Sequence, residues 1–259
     1  MKRRVFILAA LAVCAAVPFD SIVAQRKKPD PCATDTTRWR FTVTPYFWAT
    51  GIVGDVGTRA RTAHIDLRFS KIFDNLDGAF MLPFEVSKGR IGIGAEVIYT
   101  RVSFDRATAG RGFTGASLTA TQFIGEIAPR IQVYSNKKTR VDVLFGTRAW
   151  YLDNTVSLRA DRIPDLTTDS KKAWWDRFAG ARATYNITNS IDIEVRGDVG
   201  GFDSETTWQA IGGVGYTLSN SFKLRAGYRQ LDVNYREGGN GIIYDVGLGG
   251  PIIGLAYRF

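Results

Sequence analysis

His64 is the one histidine among the 259 residues and the first candidate for acid–base chemistry. Histidine titrates near neutral pH, so it is the side chain that most often serves as a general base. Its neighbours Ala63, Ile65 and Asp66 do not form the His-x-Ser pattern of a lipid A deacylase. A single histidine also cannot make a metal site with several imidazole ligands. We therefore expect a polar loop or lumen histidine, and a chain that is not an enzyme.

A second candidate is a run of charges at every second position: Asp192, Glu194, Arg196 and Asp198. A β-strand has a side-chain period of two, so a strand would place all four on one face. Carboxylates on one face could hold a cation, but coordination would need oxygen ligands from neighbouring strands. We favour pairing of these acids with arginines across a barrel interior. No metal or other cofactor is expected.

The same alternation along the chain predicts an interior in which acidic and basic side chains balance. Paired charges can be buried in a narrow lumen, whereas unpaired charges carry a large desolvation cost. Arg40 and Lys223 also fall on this inward face. The predicted lumen charge network consists of Glu85, Glu96, Glu126, Arg130, Asp142, Arg148, Asp176, Arg182, Asp192, Glu194, Arg196, Asp198, Arg225 and Arg229.

The elements that carry these charges are amphipathic strands, since apolar residues such as Ile191, Ile193 and Val195 alternate with them. This pattern is typical of membrane β-strands with a lipid face and a lumen face. Short turns are predicted near residues 88, 136, 188 and 219, all at one end. Longer connections are predicted at the other end, at 105–115, 153–173, 201–206 and 236–242. The chain is therefore predicted to be all-β, a closed antiparallel transmembrane β-barrel of about ten strands, within a range of about eight to twelve.

Two segments interrupt the regular pattern. Residues 50–77 form one long excursion, in which 64–69 is predicted as a strand and 70–76 as a helical turn. If the strand spans fully, a further strand is needed to keep the number even, and the barrel has about twelve strands rather than ten. Near the end of the chain, Gly249-Gly250-Pro251 predicts a β-bulge.

The last strand closes the predicted barrel. Ile253, Leu255, Tyr257 and Phe259 alternate with small or polar residues. This ending resembles that of bacterial outer-membrane barrels, in which the terminal aromatic is the signal read by the barrel-insertion machinery. The resemblance makes these four residues the expected insertion signal.

The beginning of the chain predicts export. Lys2, Arg3 and Arg4 precede an apolar run that is too short for a transmembrane helix. The expected organisation is a signal peptide (1–24), a disordered periplasmic tail (25–38) and the barrel (39–259). Cys32 then stands alone in the mature chain, so no internal disulfide is expected. We attribute the formal net charge of +9 to contact with outer-membrane lipid and lipopolysaccharide, not with nucleic acid.

The second half of the chain resembles a family of small, porin-like proteobacterial outer-membrane β-barrels without an assigned activity. The resemblance rests on Trp175-Asp176-x-Phe178-x-Gly180-x-Arg182, Asp198-Val199-Gly200-Gly201-Phe202, Gly227-Tyr228-Arg229, Gly250-Pro251 and Leu255-x-Tyr257-Arg258-Phe259. It implies the barrel fold and location in the outer membrane of the Gram-negative cell envelope. It implies no reaction or ligand.

Barrel size limits the function. Eight-stranded barrels are filled by side chains, and barrels of 16 or more strands hold water channels. A barrel of about ten strands is expected to have a constricted, ion-paired lumen. The first hypothesis is a structural or surface-interaction membrane protein. The alternative is a narrow channel for small solutes or ions, and the third is a lipid-modifying enzyme.

Overall fold

Within residues 38–110, 113–159, 165–239 and 241–259, which the computed structural model describes, there are thirteen β-strands and one short helix. The predicted signal peptide (1–24) lies outside the described residues, as do Cys32 and the predicted tail up to residue 37. In the described part of the chain, no helix is long and apolar enough to cross a membrane.

All strands belong to one antiparallel sheet, in which each strand from β5 to β13 pairs with the next along the chain. In chain order the elements are β1 Trp39–Val43, β2 Tyr46–Trp48, β3 Gly51–Thr58, β4 Arg61–Leu67, α1 Phe69–Asp74, β5 Leu76–Lys88, β6 Ile91–Gly110, β7 Phe113–Ser135, β8 Thr139–Arg159, β9 Leu166–Asn186, β10 Ile191–Phe202, β11 Thr206–Thr217, β12 Phe222–Arg236 and β13 Ile242–Arg258. The four predicted short turns are confirmed. They lie together at one end of the barrel, which we take as the periplasmic end because outer-membrane barrels have their short turns there.

The first strand of the barrel is built from three pieces. β1, β2 and β3 follow one another along β13 in a single register, from Thr42 opposite Arg258 to Thr58 opposite Ile242. They therefore act as one strand, and β4 adds only a hairpin arm to it. Ten strands ring the barrel, which confirms the predicted fold class. The predicted strand and helical turn inside residues 50–77 correspond to β4 and α1.

The predicted β-bulge at residues 249–251 is wrong. β13 keeps one register against β12 from Phe222 opposite Tyr257 to Arg236 opposite Ile243. Proline has no N–H to donate, so a ladder must accommodate it somewhere. Here Pro251 lies opposite Ala49, in the interval between β2 and β3, and its carbonyl accepts a hydrogen bond from the Ala49 N–H at 2.9 Å. The interruption is in the partner strand, and β13 stays regular.

The barrel wall is hydrogen-bonded all the way round only near the periplasmic end. There β1 pairs with β5 from Trp39 opposite Lys88 to Val43 opposite Phe84, and the Thr44 N–H then donates to the Pro83 carbonyl at 2.9 Å. Pro83 has no N–H, so it cannot donate a hydrogen bond back to Thr44. Farther from the periplasmic end, no ladder within the described residues joins β2, β3 or β4 to β5 or β6. We call this gap the seam.

Helix α1 lies beside the seam. The Phe69 ring meets the Phe47 ring edge to face, with 5.8 Å between the ring centroids. Ile72 is buried, and Gly51 leaves room for the chain that enters the helix, since a Cβ there would lie 3.1 Å from the Leu67 carbonyl. The short helix therefore connects the β3–β4 hairpin to the start of β5.

Strands β6 to β9 continue well beyond the rest of the barrel. The predicted connection at 105–115 is mostly strand, because β6 runs to Gly110 and β7 starts at Phe113. The predicted connection at 153–173 is likewise wrong for most of its length, because β8 ends at Arg159 and β9 begins at Leu166. Ser, Thr and charged residues alternate in these two stretches. Their composition is therefore like that of a loop, but their backbone is that of a strand.

Exposed aromatic side chains form two bands on the outside of the barrel. The upper band consists of Phe47, Phe80, Tyr151, Trp175, Trp208 and Tyr228, and the lower band of Trp39, Tyr134, Tyr185, Tyr216 and Phe259. On β9 the bands are separated by the stretch from Trp175 to Tyr185, about 25 Å for a tilted strand. This is the thickness of the apolar belt of an outer-membrane barrel.

Substitutions at two neighbouring residues of the apolar belt should distinguish its lipid face from its lumen face. Val195 is 51% exposed, whereas Arg196 points inward. We expect Val195→Arg to lose about 2–4 kcal/mol of folding free energy in bilayers, since arginine near mid-membrane faces lipid. Arg196→Ala should still insert and lose about 1–3 kcal/mol. Urea titrations in lipid vesicles measure both, with Val195→Leu as control. Normal folding of Val195→Arg together with failure of Arg196→Ala would reverse the face assignment.

Phe259 should decide insertion. The Phe41 and Phe259 backbones exchange two hydrogen bonds, of 3.2 and 3.1 Å, and the rings stack at 5.6 Å. We expect Phe259→Asp to leave the chain periplasmic and protease-sensitive. Leu218→Asp, at an exposed turn of the same end, should still insert. Cell fractionation and heat-modifiable gel mobility report both outcomes, and insertion of Phe259→Asp at the level of the natural chain contradicts the role of Phe259.

Candidate functional site

Inward-facing charges fill the lumen between the two aromatic bands. The strands that carry these charges also place glycines on the inward face, because two bulky side chains would not fit beside each other there. A Cβ at Gly215 would lie 2.6 Å from the Asp192 Oδ1, and one at Gly180 would lie 2.6 Å from the Asp198 Cβ. The sequence thus places small residues opposite charged ones, and this spacing lets a narrow barrel hold long side chains.

Arg148 is the centre of the charge network. The side chain is 0% exposed, and its Nη2 donates to the Glu126 Oε2 at 2.9 Å and to the Asp198 Oδ1 at 2.8 Å. Its Nη1 donates to the Thr207 hydroxyl at 3.3 Å. Arg196 binds both Glu126 and Asp198 from the other side. Two arginines and two carboxylates therefore neutralise one another, and of the four only Arg196 is partly exposed, at 17% of its side chain.

Two further groups lie nearer the periplasmic end. Arg182 binds Glu85 at 2.6 Å and Asp142 at 3.2 Å, and Arg130 approaches the same two acids at 3.4 Å each. The second group is on β10 and β12: Arg225 pairs with Glu194 at 2.6 Å, and Lys223 with Asp192 at 2.6 Å. Several of these bonds cross the lumen between strands that are not neighbours.

Arg229 and Glu96 close the network at its upper side. They pair at 2.8 Å, and both bind the Tyr46 hydroxyl, at 2.7 Å each. Asp176 departs from the prediction. It is buried, but it accepts bonds from the Ser204 N–H and hydroxyl, at 2.8 Å each, and it forms no ion pair with any described residue. Asp176 therefore holds the β10–β11 connection to β9 instead of balancing an arginine.

A cavity of about 160 Å³ lies within the network. Its lining includes Glu85, Arg182, Glu194, Arg225 and Arg229, together with Thr44 and Pro83 at the lower end of the seam. A cavity of this size with several polar partners can hold a few water molecules or one small polar solute. It can bind and orient such a solute.

An apolar cluster occupies the lumen directly above the charges, and sequence reasoning missed it. Its buried members are Trp48, Met81, Ile98, Ile124, Trp150, Leu152, Trp174, Leu231, Val233, Tyr235, Val246 and Leu248. Trp174 stacks on Tyr235 of the opposite wall at 4.3 Å, and Trp150 meets Tyr244 at 6.4 Å. The alternation of faces along a strand was the signal that could have located this cluster. Trp150 is two residues from Arg148, and Trp174 is two residues from Asp176, so each tryptophan shares the inward face of its strand.

One ion pair lies above the apolar cluster. The Lys172 Nζ donates to the Glu237 Oε1 at 2.6 Å. This hydrogen bond raises the pKa of Lys172 above its usual value and lowers the pKa of Glu237 below its usual value. The pair links β9 to the β12–β13 connection across the rim, because β10 and β11 are shorter than β9.

The remaining candidate residues lie elsewhere. His64 is 65% exposed in its side chain and binds Asp55 of the neighbouring strand at 2.8 Å, on the outer face of the β3–β4 hairpin. Among the described residues, no group of three or more possible ligands could hold a metal ion. Ile253 and Phe259 of the expected insertion signal are exposed, and Leu255 and Tyr257 are half-buried.

Comparison with known proteins identifies the fold and no family. No protein-family model matches the chain, and no curated protein matches it. Among solved structures, it is similar to the translocator domain of the autotransporter NalP from Neisseria meningitidis, with a TM-score of 0.53 and 12% identity over 90% of this chain and 92% of that one. This likeness is to an outer-membrane β-barrel, and it concerns the fold alone.

Two other structures are more distantly similar. The outer membrane protease OmpT from Escherichia coli matches with a TM-score of 0.46 and 11% identity, over 89% of this chain and 100% of that chain. The attachment invasion locus protein Ail of Yersinia pestis matches with a TM-score of 0.39 and 12% identity, over 85% of this chain and 98% of that chain. These two likenesses add nothing to the barrel fold that the first one shows; that fold is the one of outer-membrane proteins, in agreement with the predicted location.

The central group gives a prediction about stability. We expect Arg148→Met to cost about 3–5 kcal/mol of folding free energy, because Glu126 and Asp198 lose a shared buried partner. The matched control is Arg159→Met, whose ion pair with Asp105 is exposed and 3.9 Å long and should change stability by less than about 1 kcal/mol. Urea unfolding in vesicles compares them. Equal losses for the two variants would refute a buried network as the main source of lumen stability.

Proposed function

We propose that this chain is a closed outer-membrane barrel that presents a surface for interaction and does not conduct solutes. The observation that carries the proposal is the apolar cluster across the lumen. Leu231 is 0%, Trp150 1% and Leu248 2% exposed, so this layer excludes solvent as a protein core does. An ion crossing it would lose its hydration in a layer that offers few polar groups in return, which carries a large free-energy cost.

The charge network, which lies below the apolar cluster, is a second barrier to the passage of solutes. A solute that passed through it would have to separate ion pairs that share carboxylates, such as those of Glu126 and Asp198 with two arginines each. Breaking a buried pair leaves an uncompensated charge. Both layers therefore favour a filled lumen, and the proposal includes no catalytic role, since His64 lies outside the lumen.

The surface available for interaction is the outer wall, which we define as the parts of β6 to β9 beyond the upper aromatic band. On β9 the stretch from Leu166 to Trp175 extends roughly 30 Å along the strand. Its outward side chains are hydroxyls and charges that bind one another, as in Ser157 with Thr167 at 3.2 Å and Thr155 with Asp169 at 2.7 Å. Such a face needs water, so we place the outer wall outside the bilayer.

Lipid contact belongs to the same proposal. Arg177 lies over the rings of Phe202 and Trp175, at 4.4 and 5.2 Å from their centroids, at the level of the upper aromatic band. A cation held there on the outside of the barrel is placed to bind phosphates of lipopolysaccharide. The barrel-insertion machinery is the other proposed partner, through the terminal strand.

A narrow channel is the second candidate function. The cavity of about 160 Å³ favours it, because polar space already exists inside the charge network. For this cavity to conduct, the apolar cluster above it would have to rearrange. Conductance measurements separate the two candidates.

The natural chain in planar bilayers should show no steady unit conductance. The double variant Trp150→Ala/Trp174→Ala removes the stacked pair of the apolar cluster and should raise ion leakage, while Trp175→Ala/Trp208→Ala, which removes two tryptophans of the outer band, should not. Heat-modifiable gel mobility checks that each variant is folded. Steady single-channel steps from the natural chain would refute the closed lumen and support the channel.

A further inference from the structure

Basic side chains surround the periplasmic opening of the lumen. We define the basic mouth as Arg40 of β1, Arg140 of β8, Lys223 and Arg225 of β12, and Arg258 of β13. All five are on the inward face of their strands, as their registers with the lumen charges show. Lipid headgroups surround the outside of the barrel, so what reaches these side chains comes from the periplasm through the opening.

The acids near the basic mouth do not neutralise all of it. Lys223 binds Asp192 and Arg225 binds Glu194. Arg140 approaches Asp142 at 3.4 Å, but that carboxylate is already shared with two other arginines.

Two arginines of the basic mouth stay without an acidic partner. Neither Arg40 nor Arg258 forms an ion pair with a described residue, and the Arg40 Nε is buried without a hydrogen-bond partner. Of the inward-facing charges named so far, only Asp176 and these two arginines form no ion pair with a described residue, and Asp176 is satisfied by Ser204.

The unpaired arginines are neighbours. Arg258 lies opposite Thr42, and Arg40 is two residues earlier on the same face of β1. Lys223 lies opposite Ala256, which places it diagonally from Arg258 on the other side. Diagonal neighbours in a sheet are about 7–8 Å apart. Arg40 and Arg258 are thus adjacent unpaired cations, with Lys223, which is bound to Asp192, beside them. The repulsion between the two arginines is relieved when an anion lies between them.

The cavity of about 160 Å³ begins directly above this opening. Its lining includes Arg225, the innermost residue of the basic mouth on β12, and Gly254, which lies opposite Arg225 on β13. Deeper in the same lining, Arg229 is 2% exposed and its Nε makes no hydrogen bond. The apolar cluster closes the lumen beyond it. The result is a blind pocket with unused donors at its opening and at its far end.

We propose that this pocket is a binding site for a small oxyanion that enters from the periplasm. Arginine presents its N–H groups as a planar fork, which matches phosphate and carboxylate oxygens. Arg40 and Arg258 bind the anion at the opening, and the cavity holds whatever small group it carries. The oxyanion is either a dissolved molecule or a carboxylate of this chain, since Asp30 and Asp35 precede Arg40 in the sequence.

Titration of the full, folded chain with inorganic phosphate tests the site, by calorimetry in detergent micelles with chloride as the background ion. We expect saturable binding that weakens about tenfold or more in Arg40→Gln/Arg258→Gln, which removes charge-assisted hydrogen bonds. The matched control is Lys137→Gln/Lys138→Gln, which removes two charges from an exposed turn of the same end and should bind like the natural chain. If the arginine double variant does not fold, either single replacement takes its place.

A further variant, Asp30→Asn/Asp35→Asn, distinguishes the two sources. Phosphate that binds this variant but not the natural chain, and that still depends on Arg40 and Arg258, identifies the chain's own carboxylates as the occupant and supports the site. Equal phosphate binding with and without the two arginines overturns the proposal, as does the absence of binding in both the natural chain and the Asp variant. None of these outcomes changes the conductance result that tests the closed lumen.

Discussion

Burial of charge inside a narrow barrel is the constraint on which the rest of this structure depends. An arginine such as Arg148 can stay in the lumen only if carboxylates from other strands surround it, because an isolated buried charge carries a prohibitive desolvation cost. This requirement fixes which strands face one another and needs glycines such as Gly180 and Gly215 opposite the long side chains. Pairs such as Arg182 with Glu85 and Arg229 with Glu96 then connect walls that the backbone ladder does not join.

The polarity of the wall reverses along the barrel axis. Between the aromatic bands the outside is apolar and the inside is charged, because lipid lies outside. Above the upper band the outside carries hydroxyls and charges, and from the level of this band upward the inside packs apolar side chains such as Trp150, Trp174 and Tyr235. That upper part has the inside-apolar arrangement of a water-soluble β-protein, on strands that continue directly from the membrane part. Side chains continue to alternate between the inside and the outside across this level. Only their chemistry changes, since apolar residues move to the inward face and polar residues to the outward face.

This reversal explains what could and could not be predicted from the sequence. Alternation located the lumen face of β9 to β13, the short turns and the number of strands, since lipid on one side makes the pattern strict. It could not separate the upper strands from loops, because Ser, Thr and charged residues at 153–173 are typical of both. The apolar cluster was missed because the predicted inward face consisted of charged residues, and neighbours such as Trp174 and Trp175 face opposite ways. Asp176 was assigned correctly to the interior, but its partner is a turn, Ser204, whose approach depends on the tertiary fold.

The seam gives the two ends of the barrel different mechanical properties. A tube that is bonded all the way round resists twisting, because shear stress passes continuously around its wall. A tube with a slit along part of its length twists easily there, since the two edges can slide past one another. The wall is continuous near Thr44 and Pro83 and slit above them, so torsion applied to the upper strands is absorbed above this level. The ion-paired part of the lumen near the periplasmic end keeps its cross-section while the upper part deforms.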